Sequence, residues 1–141
     1  MTARTTHHST QTKARKRALD ILFEAELREA DPLVTLAERA ADAEPPVREY
    51  TRELVRGVVS NREGIDLRIA SALADGWSLN RLPRVDRNLM RIAIYEIDHT
   101  SVPDPVAVSE AVGLVAQLST DDSPAFVNGV LGTVVATKSP S

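Results

Sequence analysis

The chain has 141 residues, 43% of them hydrophobic, with a formal net charge of −3 and no cysteine. That length suits one domain or two small subdomains sharing a core, and the apolar fraction excludes global disorder. The lack of cysteine excludes disulfides, thiolate metal sites and cysteine nucleophiles.

Charge is unevenly spread. Residues 1–17 hold five basic residues (Arg4, Lys13, Arg15, Lys16, Arg17) and no acid, which leaves 12 basic against 20 acidic residues, a local net of −8, in the remainder. Concentrated positive charge on an acidic body suits an anionic polymer; the bland alternative is a solubilising tail. No apolar run approaches the ~20 residues of a membrane span, and the N-terminus is too polar for a signal peptide, so a soluble cytoplasmic protein is expected.

Residues 1–9 are polar and read as a disordered tail. His7 and His8 stand there without further ligands, so no metal site is expected. A helix should run from Ser9 or Thr10 to about Ala30, basic in its first half and apolar in its second. Ala14, Ala18, Ile21, Leu22 and Ala25 form one face, while Leu19, Phe23 and Leu27 form another, nearly opposite. Such a helix is either central to a bundle or touches the core on one side and a partner on the other. Asp31-Pro32 reads as a cap with proline at the first position of a second helix, which should reach about Ala43. Pro45-Pro46 ends it. Residues 47 to about 75 are helical in pattern, weakened by Gly57 and Gly64.

Residues 75–83 read as a connection with one short turn, dividing an N-terminal subdomain (about 10–75) from a C-terminal one (about 76–135). Residues 84 to about 100 should form a buried central helix with a polar arc of Arg87, Arg91 and Asp98. Glu96 falls on its apolar side and should be paired. Pro103-Asp104-Pro105 opens a helix to about Leu118, with Val108, Ala111, Val112 and Val115 inward. Ser123, or Asp122 before it, can cap the last helix, with Pro124 at its first position. Val127, Val130, Leu131 and Val134 form its core stripe, and residues 136–141 read as a flexible tail. Phe126 lies off that stripe. It either seals the core edge or presents its ring to a flat ligand. No strand pattern and no internal repeat appear, so the fold class is all-α, about seven helices in two small bundles of three and four.

Catalysis finds little support. There is no glycine-rich phosphate loop, nucleophile elbow or His-Glu-x-x-His pattern. Adjacent Asp121 and Asp122 are explained by the helix dipole, and His99 is a lone histidine near a helix end. No catalytic residue, cofactor or metal is expected. A binding module fits better: a basic helix neutralises phosphates, and Phe126 beside a polar rim offers a stack and hydrogen bonds to splayed bases of single-stranded RNA.

Four segments carry a resemblance: Asp121-Asp-Ser-Pro-Ala-Phe-Val-Asn-Gly-Val-Leu131, Arg91-Ile-Ala-Ile-Tyr-Glu-Ile97, Val106-Ala-Val-Ser-Glu-Ala-Val112 and the basic Lys13-Ala-Arg-Lys-Arg-Ala18. In order and spacing, from about residue 11 to 135, the chain resembles the NusB family of bacterial transcription antitermination factors. The resemblance implies a two-bundle all-α fold that binds the boxA element of nascent ribosomal RNA with a small-subunit ribosomal protein, NusE. That pair seeds a complex on the elongating polymerase. It maps RNA contacts onto Gln11, Thr12, Lys13, Arg15, Lys16 and Arg17 and onto Asp122, Ser123 and Phe126. It maps the ribosomal-protein contact onto Phe23 and Asp86. Gln11 and Thr12 depart from the consecutive arginines of some relatives, which implies fewer phosphate contacts. A homodimer covering the Phe23 face would compete with the ribosomal protein. Two alternatives stand: the RNA-binding domain of ribosomal RNA cytosine methyltransferases, for whose catalytic domain 141 residues leave no room, and a protein-only helical adaptor.

Overall fold

Proline and acid punctuation sets where the helices begin. The structure is a computed structural model that describes residues 10–139 except 43 and 45. Among these residues it contains α1 (Thr10–Leu27), α2 (Pro32–Asp42), α3 (Glu49–Ser60), α4 (Arg62–Ala72), α5 (Arg84–His99), α6 (Asp104–Leu118) and α7 (Ser123–Ala136), with one 3-10 turn at Leu79–Arg81. They contain no strand, as expected of an all-α chain. The tail read over residues 1–9 lies outside the described residues.

The chain divides into two compact units between Ser60 and Asn61, inside the segment read as one helical run. The first unit is α1, α2 and α3, each packed on the other two. Ala14, Ala18, Ile21, Leu22 and Ala25 of α1 are buried, as their spacing requires, together with Leu36 of α2 and Leu54, Val55 and Val58 of α3. The Thr51 hydroxyl donates to the Ala14 carbonyl at 3.0 Å, tying α3 to α1. The first helix stops short of Ala30 because Glu29 turns to φ 53° and the Ala30 N–H donates to the Ala25 carbonyl at 2.8 Å. The Asp31 carboxylate then accepts the Leu33 N–H at 2.8 Å, the cap read from Asp31-Pro32.

In the second unit α5 packs on α4, α6 and α7, and α7 also packs on α4 and α6. The centre of α5 is buried on nearly every side, from Asp86 through Ile94 and at Glu96 and Ile97. Its charged arc is paired. Arg91 makes a two-bond contact with Asp66 of α4, at 2.8 and 3.2 Å, and Asp98 receives Arg68 of α4 at 2.9 and 3.0 Å. Arg68 also donates to the Val134 carbonyl at 2.9 Å and so pins the end of α7. Burial pulls the Arg91 guanidinium below its ordinary pKa against the pull of Asp66, whereas bonding to Asp98 holds Arg68 above it. Glu96 is fully buried and has a partner. On α7, Val127, Val130, Leu131 and Val134 are all buried, as their stripe predicts. Beyond it, the Lys138 ammonium meets Asp104 at 3.1 Å.

Candidate nucleic-acid interface

The basic opening belongs to the first unit. No acid stands in the first turn of α1, so the positive end of the helix dipole adds to the side-chain charge there. The residues read as RNA contacts differ in what they present. Gln11 and Lys13 are exposed, and Thr12 and Arg17 are half-buried. Lys16 is half-buried and bonds both oxygens of Asp20 at 2.9 Å. Arg15 is only 4% exposed, and its guanidinium lies 5.8 Å from the centroid of the Tyr50 ring of α3. Alternation along the helix explains this: the face that carries Ala14 and Ala18 into the core takes Arg15 partly with it, and the long side chain finds an aromatic face. Lys13 is thus the most available cation of the described set, while Arg15 is built into the packing of α1 on α3.

The aromatic end lies in the second unit. A cleft of about 290 Å³ is lined by Trp77, Leu82, Pro83, Asp86, Thr120, Asp122, Ser123 and Phe126. Phe126 is half-buried, and its ring centroid lies 5.9 Å from that of Trp77, with 41° between the planes. The ring is thus partly covered at the edge of α7 and partly open to the cleft. Asp122 is exposed beside it and makes no capping bond, since its own backbone is already helical. The expected side-chain cap from Asp122 is absent, and its carboxylate is left facing solvent at the start of α7.

Ser123 and Asp86 lie beneath this rim. Ser123 is buried, and its single hydroxyl proton goes to Asp86 at 2.8 Å. The hydroxyl then accepts from Thr120, whose oxygen is 2.8 Å away, and from the Thr120 N–H at 3.3 Å. Ser119 donates to the other Asp86 oxygen at 2.5 Å. Asp86 itself is 2% exposed. The two residues mapped to surface contacts, one to RNA and one to a protein, are thus bonded to each other inside the unit. A buried carboxylate needs such partners, and here they come from the α6–α7 turn.

Phe23 is half-buried on α1, and Leu27, one turn on, is 52% exposed, whereas Leu19 of the same row is buried. The second apolar face therefore reaches solvent only toward the C-terminal end of the helix. Trp77 was not singled out from the sequence. Its one available signal was a large apolar side chain in an otherwise polar connection, behind a glycine. Among the described residues no group of three or more His, Asp or Glu side chains could hold a metal ion, and no helix is long and apolar enough to cross a membrane.

Comparison with known proteins matches residues 12–136 to the NusB family. A protein named Transcription antitermination protein NusB from Acidothermus cellulolyticus is 57% identical over 127 residues, 89% of this chain and 87% of that one. The protein of the same name from a Nocardioides species is 49% identical over 131 residues, 92% of this chain and 96% of that one. Against the one from Cutibacterium acnes, 50% identical over 127 residues, the chain spans about half of the relative's length, 49%. Among solved structures, T. maritima NusB superposes with a TM-score of 0.83 at 31% identity, covering 94% of each chain. A complex of antitermination factors NusB and NusE with double-stranded RNA contains a chain with a TM-score of 0.77 at 27% identity, covering 89% of this chain and 96% of that one.

Proposed function

Because the chain belongs to the NusB family, we propose that it is a cytoplasmic transcription antitermination factor that acts by binding RNA and protein rather than by catalysis. The observation that carries this is the 57% identity to a protein named for that role, extending over 89% of the chain. The two regions described above divide the work. Lys13, with Arg17 and the N-terminal dipole of α1, neutralises phosphates of a boxA-type strand of ribosomal RNA. Phe126 stacks on an unpaired base, and the exposed Asp122 carboxylate accepts from base amino groups. A negative rim repels backbone, so the strand presents bases, not phosphates, to the cleft. The exposed end of the second α1 face, at Phe23 and Leu27, meets the ribosomal protein NusE, and the assembly joins the elongating polymerase.

The test is an anisotropy titration of a labelled boxA-type single strand with the purified chain, repeated with NusE present. Binding that tightens with NusE supports the reading. No binding in either condition overturns it.

A further inference from the structure

We infer that Trp77 is a second stacking surface of the cleft, so that two successive unpaired bases of one strand are held there, one on Phe126 and one on Trp77. This rests on the RNA-binding reading of the chain. Trp77 stands in the connection after α4, behind Gly76 at φ +91°, and its N–H donates to the Ala74 carbonyl at 3.1 Å. That turn holds its backbone, and the Phe126 ring supports its side chain from within the same unit. Even so, the side chain is 55% exposed. A tryptophan that served only to seal a core would be largely covered, and an indole left this open beside a cleft retains a face for a planar ligand.

The spacing decides how bases are held. A base sandwiched between two rings needs about 7 Å, twice the ~3.5 Å of van der Waals contact. The centroids are 5.9 Å apart, so the rings touch each other and leave no slot between them. What they offer is two adjoining planes inclined at 41°. Bases in a duplex stack nearly parallel and cannot follow that angle, whereas splayed bases of a single strand can. Leu82 and Pro83 complete the apolar lining, and Thr120 and Asp122 supply acceptors for base edges.

Trp77 is the only tryptophan of the chain, so its fluorescence reports on this position alone. The experiment follows that emission while a short, unstructured boxA-type RNA is added to the full chain, and follows anisotropy of the end-labelled RNA in parallel. We expect quenching with the same midpoint as the anisotropy change, and none from a duplex of the same composition. Trp77→Ala should weaken single-strand binding roughly tenfold, and Trp77→Phe should restore most of it. Trp77→Leu keeps an apolar side chain against Phe126 but has no π face, so it should fold as the parent does and still lose RNA. RNA binding with unchanged emission, or full RNA affinity in the alanine and leucine variants, overturns the inference and leaves RNA binding in place. Quenching by NusE alone with RNA affinity untouched by Trp77→Leu overturns it in favour of a protein contact. No anisotropy change at all overturns the RNA reading itself.

Discussion

Ser123 donates its hydroxyl to Asp86 at 2.8 Å, and this buried bond joins the first turn of α5 to the first residue of α7. Because Phe126 and Asp122 flank Ser123 on the same short stretch, the bond sets where the aromatic ring and the exposed carboxylate stand. Asp86 is therefore a positioning residue of the cleft. Its partners Ser119 and Ser123 stand at the two ends of the α6–α7 turn, and Ser123 in turn bonds Thr120, so one carboxylate holds that connection at both ends.

Asp86→Ala should cost roughly 1–3 kcal/mol of folding stability, since it strands the buried Ser123 hydroxyl and removes the acceptor of the half-buried Ser119. Urea unfolding measures this directly. A residue on an exposed protein contact would change stability by no more than about 0.5 kcal/mol, so a null result would return Asp86 to the surface role that the resemblance implied.

Lys13 and Arg15 should separate affinity from architecture. Lys13→Gln removes an exposed cation and should flatten the logarithmic salt dependence of single-strand binding by about 0.7 while folding holds. Arg15→Gln removes a guanidinium packed over Tyr50 and should lower stability by roughly 0.5–2 kcal/mol with the salt slope unchanged. The reverse pattern would show that Arg15 leaves Tyr50 to reach phosphate.

These contrasts mark what could be read from the sequence. The helix starts at Asp31-Pro32, Asp104-Pro105 and Ser123-Pro124 were legible because proline and small polar residues act locally, through a backbone they constrain themselves. The α7 stripe was legible because four apolar residues at helical spacing leave one inward face. Charge counting, by contrast, treats Lys13 and Arg15 alike, and only the packing of α3 on α1 tells them apart. The Asp86–Ser123 bond spans 37 residues and has no local signature. Trp77 likewise acquires its meaning from Phe126, which lies almost fifty positions on.

Leu27→Asp tests the end of the second α1 face. The residue is 52% exposed, so a charge there should leave folding nearly unaffected. If NusE covers this end, its affinity should fall by about 1 kcal/mol or more, as for a residue within an interface core. Phe23→Asp should weaken NusE as well, but at a cost in stability, because the ring is half-buried. Calorimetric titration of each folded variant with NusE checks both, and unchanged affinity for Leu27→Asp would put the interface elsewhere.

Phe126→Ala and Asp122→Asn together test the rim of the cleft. Truncating a core phenylalanine costs roughly 3–5 kcal/mol of folding free energy. Phe126 is half-buried and its ring rests on Trp77, so its loss should cost less, roughly 1–2 kcal/mol, about what an aromatic pair and partial burial contribute. RNA affinity measured on folded protein should fall by a further 1–3 kcal/mol, roughly, if a base stacks there. Asp122 makes no capping bond, so Asp122→Asn gives up only its favourable charge at the helix N-terminus, at most about 0.5 kcal/mol on an exposed site. The amide oxygen still accepts from a base amino group, while the charge that repels phosphate is gone. RNA should therefore bind the asparagine variant as tightly as the parent or more tightly. Weaker binding by the alanine variant with none lost by the asparagine variant is the pattern of a base-reading site. Parental RNA affinity in both would reduce this stretch to packing at the edge of α7.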